Sequence, residues 1–291
     1  MRPCFFIFGF GYTASFLAQK LAELNFRVIG TTRDQEKRKP NTTGELIDFS
    51  LDEVKKYLPL ATHILVSTPP IVDVGDPVLT HFADLISDYS SQIQWLGYLS
   101  TTGVYGNHQG AWVDELSASI APGKSGQLRL DAEQAWMSLA KKQQLPLHLF
   151  RLAGIYGPQR NALERILAGK QHSIYKEGHF FSRIHVEDIV SVLIASMNQP
   201  KPLAIYNVAD DEPTPAHVLD AYAASLLHRD SLPMQPYETA KLSPMELDFY
   251  TNNRRVSNTK IKQELRVKLH YPSYKQGLTQ CLHQKVLGAQ D

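Results

Sequence analysis

The stretch that decides the fold lies near the start of the chain and reads Phe5-Phe6-Ile7-Phe8-Gly9-Phe10-Gly11-Tyr12-Thr13-Ala14. Its first four residues are apolar and end at a glycine, as expected for a strand that is buried on both faces of a sheet. After the glycines, apolar residues recur with helical spacing at Ala14, Leu17, Ala18 and Leu21. The stretch therefore predicts a buried strand, a tight turn and a helix.

Gly9, Gly11 and Ala14 form the pattern G-x-G-x-x-A between this strand and this helix. The first glycine permits the tight turn, the second lets the backbone approach a pyrophosphate, and the small third residue keeps helix and strand close. The start of the helix, at Tyr12 and Thr13, offers free N–H groups and the positive end of a dipole to phosphates. The pattern predicts a dinucleotide-binding loop, and a strand–turn–helix without a ligand is the alternative.

The end of the second predicted strand, Arg27–Thr31, bears on the choice of cofactor. An NAD-binding site usually carries Asp or Glu about 20 residues after the glycines, whereas this chain reads Gly30-Thr31-Thr32-Arg33. Arg33 can pair with a ribose 2′-phosphate, which a carboxylate would repel, and Lys37–Lys39 continue the basic stretch. The sequence therefore favours NADP over NAD, with Thr32 and Arg33 at the site. A solvated basic loop is the other interpretation.

The first half of the chain alternates between predicted strands and helices. Further strands are predicted at Arg27–Thr31, Glu45–Phe49, His63–Ser67, Trp95–Ser100 and Pro146–Arg151, and one at Ile205–Val208 that returns to the main sheet. Strands separated by helices imply right-handed crossovers and a parallel sheet. With 291 residues, about two domains are expected. We predict a Rossmann-type, doubly wound parallel α/β domain over residues 1–158 and a smaller substrate-binding lobe over residues 159–291.

Composition excludes several classes of protein. The 30 Lys and Arg residues against 29 Asp and Glu residues give a formal net charge of +1, so neither a nucleic-acid nor a membrane-surface partner is expected. Two cysteines, Cys4 and Cys281, cannot form a disulfide framework and predict a reducing, cytoplasmic compartment. The 11 histidines show no metal-ligand spacing, so no metal site is predicted. Asp210–Glu212 is predicted to be a solvated turn.

Five segments of the chain follow the order of motifs in one enzyme family. They read Phe8-Gly9-Phe10-Gly11-Tyr12, Leu99-Ser100-Thr101-Thr102-Gly103-Val104-Tyr105-Gly106, Arg151-Leu152-Ala153-Gly154-Ile155-Tyr156-Gly157-Pro158, Ile184-His185-Val186-Glu187-Asp188-Ile189 and Tyr206-Asn207-Val208. With these segments, the chain resembles the extended short-chain dehydrogenase/reductase family, which includes NAD-dependent nucleotide-sugar epimerases and dehydratases. Together with Gly30–Arg33 and the tail Arg255–Asn258, it is most similar to the atypical, YeeZ-like branch.

The resemblance implies three catalytic positions. A Ser or Thr lies four residues before the tyrosine of the V-Y-G motif, which is Thr101 here. A Tyr-x-x-x-Lys pair precedes the acidic stretch Asp131–Gln134, and these two positions hold Ser125 and Arg129. A serine hydroxyl is far less acidic than a phenol, and arginine does not release a proton. Either another group transfers the proton, or the site binds without the standard reaction.

Four more residues are predicted beside the cofactor, in addition to the glycine loop, Thr32 and Arg33. If the resemblance holds, Ser67, Thr68 and Pro69 border the ribose on the nicotinamide side, although the proline also shapes the loop. Asp48, which closes the third predicted strand, faces the adenine or serves as a cap.

Substrate contacts are assigned to three residues by the resemblance. Tyr105, Tyr156 and His185 lie in motifs that line the cleft in the family, and each is also compatible with a packing role. Together with Lys124, which adjoins the position of the missing tyrosine, they are the candidate proton donors. In the C-terminal part, the pairs Phe180-Phe181, Phe249-Tyr250 and Arg254-Arg255 could stack a base and bind phosphates, or pack a subdomain.

Two functional hypotheses follow. The first is an enzyme that uses NADP, or NAD, for hydride transfer as an oxidoreductase or an epimerase/dehydratase, with Thr101 bonded to the reacting oxygen of a carbonyl or nucleotide-sugar-like substrate. The second is an NADP-binding sensor or regulatory protein that has kept the fold and lost the chemistry. The expected partner is a small-molecule substrate, and a homodimer is compatible with the sequence.

Overall fold

The structure is a computed structural model, and it describes residues 2–34, 43–121 and 123–287. The strands in these ranges are β1 Cys4–Phe8, β2 Arg27–Thr32, β3 Glu45–Asp48, β4 His63–Val66, β5 Trp95–Thr101, β6 Trp112–Val113, β7 Leu147–Leu152, β8 Gly154–Tyr156, β9 Ser173–Tyr175, β10 Arg183–His185, β11 Ala204–Val208, β12 Met234–Pro236 and β13 Arg255–Val256. The α-helices are α1 Tyr12–Glu23, α2 Leu51–Tyr57, α3 Pro77–Asp88, α4 Lys124–Gln143, α5 Ala162–Leu167, α6 Val186–Asn198, α7 Ala216–Leu226, α8 Pro244–Thr251, α9 Thr259–Glu264 and α10 Tyr274–Leu287.

Seven strands form one parallel sheet in the order β11-β7-β5-β4-β1-β2-β3. The chain moves from β1 outward to β3 and then returns to the other side of β1 for β4, so the strand order reverses between β1 and β4. In sheets of this kind, ligands bind outside the carboxyl ends of the strands at such a reversal. The predicted Rossmann-type α/β fold is confirmed.

The apolar run of β1 fills both faces of the sheet because successive side chains point to opposite sides. Phe5 and Ile7 join a core that includes residues of α1 and α6, whereas Phe6 and Phe8 join a second core with residues of α2, α3 and α4. All four side chains are fully buried. An uninterrupted apolar sequence, rather than an alternating one, is therefore what this strand requires.

A third apolar cluster lies among α5, α7 and α10 and includes Leu163, Leu219 and Leu278. Around it, short parallel pairs join β8 to β10, β9 to β12 and β6 to β13. These short pairs connect distant parts of the sequence. β6, for example, precedes α4, whereas β13 follows α8.

The turn after β11 corrects one expectation. Asp210 is only 1% exposed, its N–H donates to the carbonyl of Arg183 at 2.6 Å, and the N–H of Asp211 donates to Pro272 O at 2.9 Å. Burial raises the pKa of the Asp210 carboxyl well above its ordinary value. The prediction of a solvated turn was wrong for Asp210 because segments distant in sequence cover it.

Candidate functional site

The glycine loop between β1 and α1 is held from both sides. The N–H of Gly9 donates to Thr31 Oγ1 at 2.9 Å, and the N–H of Phe10 donates to Thr31 O at 2.8 Å. Gly9 has φ +89°, and a Cβ placed on it would lie 2.8 Å from Thr68 Cγ2 and 3.1 Å from Thr68 N. Only glycine meets both demands at this position, so the loop is locked between the ends of β2 and β4.

The start of α1 is open. Gly11 is exposed, offers no side-chain cap to the helix, and would meet no heavy atom within 4 Å of an added Cβ. The first turn of the helix contains no acidic residue. The N–H groups of Tyr12, Thr13 and Ala14 precede the first bond of the helix, which runs from Ser15 N to Gly11 O, and lack an intrahelical acceptor. This end of α1 can bind an anion.

The side chains of the first turn of α1 anchor the helix. Thr13 and Ala14 are buried. The hydroxyl of Tyr12 donates to Pro158 O at 2.9 Å, and the guanidinium of Arg160 lies 5.5 Å from the centre of its ring. The backbone N–H of Tyr12 thus lies at the open end of α1, while its side chain joins α1 to the segment after β8.

The ends of β2 and β3 lie side by side, since Thr32 is the register partner of Asp48. Thr32 is buried and its Oγ1 accepts from Asp34 N at 3.1 Å, whereas Arg33 is exposed. The structure therefore places Arg33 and Asp48 at the carboxyl edge of the sheet, beside the loop that begins at Gly9. Lys37–Lys39 lie outside the described residues.

The loop after β4 forms the opposite wall. Ser67 N donates to Phe8 O at 2.8 Å, which extends the pairing of β4 with β1. Thr68 lies against Gly9, and its Oγ1 is buried without a hydrogen-bond partner among the described residues. A buried hydroxyl without a hydrogen-bond partner is uncommon and needs an explanation. This hydroxyl lies where the strand order of the sheet reverses. Pro69 follows and is exposed.

The turn that begins at Thr101 packs against the start of α4, where Ser125 lies. Thr101 ends β5, is half-buried, and its Oγ1 accepts from Gly103 N at 3.1 Å. A Cβ on Gly126, next to Ser125, would lie 3.4 Å from Gly103 O, so the start of α4 packs on the turn that Thr101 begins. Ser125 itself is exposed.

Arg129 is directed at the backbone of β5. Its Nη1 donates to Leu99 O at 2.9 Å and contacts the hydroxyl of Tyr98 at 3.4 Å. These bonds tie α4 to the strand that carries Thr101. The guanidinium thus takes part in a contact that holds α4 against β5, at the position where the resemblance implies a lysine.

Tyr105 lies in the core behind the cleft. It is fully buried, its hydroxyl donates to Asn207 Oδ1 at 2.7 Å, and the guanidinium of Arg151 lies 4.8 Å from its ring centre. Burial raises its pKa, so the phenol stays protonated. Substrate contact by Tyr105 stays a prediction, since its side chain is engaged in these internal contacts.

Tyr156 and His185 pack against each other in the lobe, with ring centres 5.2 Å apart. Tyr156 is 7% exposed and its hydroxyl contacts Ser273 O at 3.4 Å. His185 is fully buried, caps α6 by accepting from Glu187 N at 3.3 Å, and has its pKa lowered to about 4 by burial. Substrate contact by either residue stays a prediction, since both are engaged in the lobe's own packing.

Sequence reasoning missed a buried ion pair beneath the cleft. Arg151 on β7 forms three hydrogen bonds with the carboxylate of Glu133 on α4, the shortest at 2.7 Å, and Ser100 donates to the same carboxylate at 2.5 Å. Both charged side chains are less than a tenth exposed. The pair and Arg129 fasten α4 to β5 and β7 directly beside Thr101.

Among residues 2–34, 43–121 and 123–287, no group of His, Cys, Asp and Glu is arranged to hold a metal ion. Within the same ranges, no helix combines the length and apolar character that crossing a bilayer requires.

Proteins similar to this chain are found among solved structures. No protein-family model and no curated protein matches the chain. A conserved protein of unknown function from Silicibacter pomeroyi is 44% identical, with a TM-score of 0.92 over 97% of this chain and 99% of that protein. The chain belongs to the same family as this protein.

More distant structures share the fold alone. The dTDP-glucose 4,6-dehydratase of Bacillus anthracis, solved in complex with NAD, is 15% identical with a TM-score of 0.80 and covers 99% of this chain and 98% of its own. The UDP-glucose 4-epimerase of Thermotoga maritima, solved with UDP-glucose, is 15% identical with a TM-score of 0.79 over 97% of this chain and 99% of that one. The fold is thus shared with a dTDP-glucose 4,6-dehydratase and a UDP-glucose 4-epimerase.

Proposed function

We propose that the protein binds NADP, or NAD, and catalyses hydride transfer as an oxidoreductase or epimerase/dehydratase on a carbonyl or nucleotide-sugar-like substrate. The observation that carries this proposal is the open N-terminus of α1. It has an exposed glycine, no cap and no acidic residue in its first turn, at the reversal of strand order where this fold binds ligands. The solved complexes of the fold's dehydratases and epimerases with NAD and UDP-glucose lend support.

The residues present fit a dinucleotide. A diphosphate would lie against the N–H groups of Tyr12, Thr13 and Ala14, with the space in front of Gly11 free of side-chain atoms. The buried, unpartnered Oγ1 of Thr68 would gain a partner in the ribose on the nicotinamide side. When bound, the nicotinamide would supply the hydride acceptor or donor.

The protein's own groups would orient the substrate. The hydroxyl of Thr101 would donate a hydrogen bond to the reacting oxygen, while its Oγ1 still accepts the hydrogen bond from Gly103 N. We further propose that a group other than Ser125 moves the proton, because a serine hydroxyl is a poor acid near neutral pH and Arg129 already binds Leu99 O. Residues 1–158 with β11 would hold the cofactor, and residues 159–291 would receive the substrate.

The first test is cofactor binding by calorimetry with NADPH and NADH, and the key variant is Gly11→Val. The valine meets no protein atom within 4 Å of its Cβ, so the melting temperature should change little while affinity falls at least tenfold. Unchanged affinity in this variant would remove the loop from the site, and no affinity for either dinucleotide would overturn the proposal.

A second candidate function is a sensor that binds NADP without turnover. It is favoured by the exposed Ser125 and the engaged Arg129 at the two positions that should carry acid–base chemistry. A panel of carbonyl and nucleotide-sugar substrates separates the two candidates through NADPH oxidation or product formation. Turnover that Thr101→Ala abolishes supports the enzyme, and tight cofactor binding without turnover supports the sensor.

A further inference from the structure

A cavity of about 540 Å³ is lined by residues of the paired strands β6 and β13 and of the turn that follows β11. The apolar part of its wall consists of Trp112, Val113 and Val256. The acidic part consists of Asp114, Asp210 and Asp211. Among the described residues, no lysine, arginine or histidine lines the cavity. Because the chain as a whole has a formal net charge of +1, this acidic wall is a local feature.

Two of the carboxylates are held in place by their neighbours. Asp114 Oδ1 accepts from Ser117 Oγ at 2.8 Å, and this hydrogen bond lowers the pKa of Asp114, so the carboxylate is ionised at neutral pH. Asp211 Oδ1 accepts from Asn258 Nδ2 at 2.6 Å and forms an ion pair with Lys262. Lys262 therefore compensates the charge of Asp211, whereas the charge of Asp114 stays available to a ligand.

Asp210 is the buried member of the acidic wall. It is 1% exposed, and its Oδ1 accepts from Glu212 N at 3.3 Å, whereas Oδ2 has no hydrogen-bond partner among the described residues. Burial raises the pKa of Asp210, and the charge of Arg183 lowers it. No ion pair joins these two side chains in the described part of the chain, since Arg183 Nη1 donates to Phe181 O and Thr214 O. A buried carboxyl oxygen without a partner needs an explanation, and a ligand that donates hydrogen bonds supplies one.

The indole of Trp112 gives the cavity an exposed aromatic surface. It is 53% exposed, whereas the other two tryptophans, Trp95 and Trp136, are fully buried. The pairing of β6 with β13 holds its backbone, and the guanidinium of Arg255 lies 5.4 Å from the centre of its ring. The apolar surface beside the carboxylates is therefore part of a paired strand.

The composition of the wall selects an organic cation. Among the described residues, the carboxylates are not arranged to hold a metal ion. An anion would be repelled by the acidic wall, and a wholly apolar ligand would leave the carboxylates without a partner. An ammonium group donates charge-assisted hydrogen bonds to carboxylates, and an alkyl chain attached to it can pack on Trp112, Val113 and Val256. An alkyl amine therefore matches both parts of the wall.

We infer that this cavity binds an alkyl amine, whose N–H groups bond to the carboxylates of Asp114 and Asp210 and whose chain packs on Trp112. The inference goes beyond the proposed function, because the cavity lies away from the glycine loop. Asp210 follows β11 and Gly9 follows β1, and these strands are four positions apart in the sheet, a spacing of about 19 Å. The acidic wall would also repel the diphosphate that we propose to bind at α1.

The test titrates the full chain with putrescine, a diamine with a four-carbon chain. Calorimetry measures binding, and NMR follows the indole N–H resonance of Trp112, assigned from the spectrum of Trp112→Phe. Butanediol and succinate have the same chain length but carry no charge and a negative charge, respectively. We expect putrescine to bind at one site and to shift the resonance of Trp112 but not those of Trp95 and Trp136. Butanediol and succinate should bind about tenfold more weakly or worse.

Two exposed side chains of the wall provide the first variants. Asp114→Asn removes the ionised carboxylate and Trp112→Ala removes the apolar surface, so each should weaken putrescine binding about tenfold or more. Because both side chains are exposed, the melting temperature should change little. The exposed Asp230, in the loop after α7, provides the matched control, and Asp230→Asn should bind putrescine as the wild type does.

Asp210→Asn tests the buried oxygen. The variant keeps the shape of the side chain but replaces a carboxyl oxygen by an N–H donor, so the ammonium group loses an acceptor and binding should weaken about tenfold or more. If Asp210→Asn does not fold, Asp114→Asn and the NMR titration decide.

A Trp112 resonance that does not move with millimolar putrescine, or unchanged affinity in both Asp114→Asn and Trp112→Ala, would overturn the inference. Butanediol that binds as tightly as putrescine would also overturn it, since the carboxylates would then not select the ligand. All titrations are carried out without NADPH, so their outcome does not depend on the proposed function.

Discussion

Arg33 carries the prediction of cofactor preference at the scale of single residues. It is exposed beside the end of β2, next to the loop that begins at Gly9. In Arg33→Ala, the Kd for NADPH should rise about tenfold or more, since a charge-assisted bond to the 2′-phosphate is worth about 1.5–3 kcal/mol. The Kd for NADH should not change. Calorimetric titration measures both, with the exposed Arg229→Ala as the control. A ratio that stays constant would show the arginine assignment to be wrong.

The buried His148 leads to a prediction of how the stability of the protein depends on pH. It is fully buried, accepts from Lys201 N at 2.9 Å, and has its pKa lowered to about 4 by burial. Because the unfolded histidine titrates near 6.5, the unfolded chain takes up a proton first as the pH falls, and stability is lost between about pH 6.5 and 4. This one residue accounts for about 1–3 kcal/mol.

The measurement is the melting temperature at pH 7.5 and pH 5.5. The melting temperature should fall less from pH 7.5 to pH 5.5 in His148→Gln than in the wild type. His172→Gln, which changes an exposed histidine, should show the wild-type drop. Equal drops in all three proteins would contradict the prediction.

At the scale of elements, the ion pair Glu133–Arg151 holds α4 against β7 and β5. Glu133→Gln leaves a guanidinium buried without its counter-charge, which typically costs about 3–5 kcal/mol of unfolding free energy. Urea denaturation should show this loss. The exposed pair Lys20–Glu23 on α1 is a matched comparison, and Glu23→Gln should cost less than about 1 kcal/mol. Similar losses in both variants would mean that the buried pair does not anchor α4.

Sequence reasoning works well for elements whose signal is local. β1, the glycine turn and α1 are encoded in consecutive residues, so the loop could be read directly from Gly9 to Ala14. Burial of Tyr105 and Asp210 could not, because Asn207, Arg183 and Pro272 cover them from distant parts of the chain.

For the whole molecule, a bound cofactor should stabilise the fold. At a concentration 100 times its Kd, NADPH should add about 2.7 kcal/mol to the free energy of unfolding, which corresponds to a rise of roughly 4–5 °C in melting temperature for a chain of this size. Thermal scans with and without NADPH measure the shift. Nicotinamide alone, which lacks the diphosphate, should give none. If calorimetry shows that NADPH binds but the melting temperature does not change, this prediction is contradicted.

The fold class could be predicted for the whole chain because strand and helix patterns alternate over its first half, and the seven-stranded parallel sheet agrees. The catalytic group could not be predicted, since Ser125 and Arg129 depart from the family's pattern and their surroundings are set by tertiary contacts. Thr101 could be placed from its motif, but its packing against the start of α4 depends on Gly103 and Gly126.

The contact of Gly9 with Thr31 on one side and Thr68 on the other has a consequence for engineering. It sets a fixed spacing between the start of α1, where we propose that the diphosphate binds, and the Thr68 loop, which we propose to border the nicotinamide. The exposed turn at Arg33 lies outside these contacts of Gly9 with Thr31 and Thr68. If Arg33 binds the 2′-phosphate as proposed, cofactor preference can therefore be changed at this exposed turn without substitutions in the buried contact.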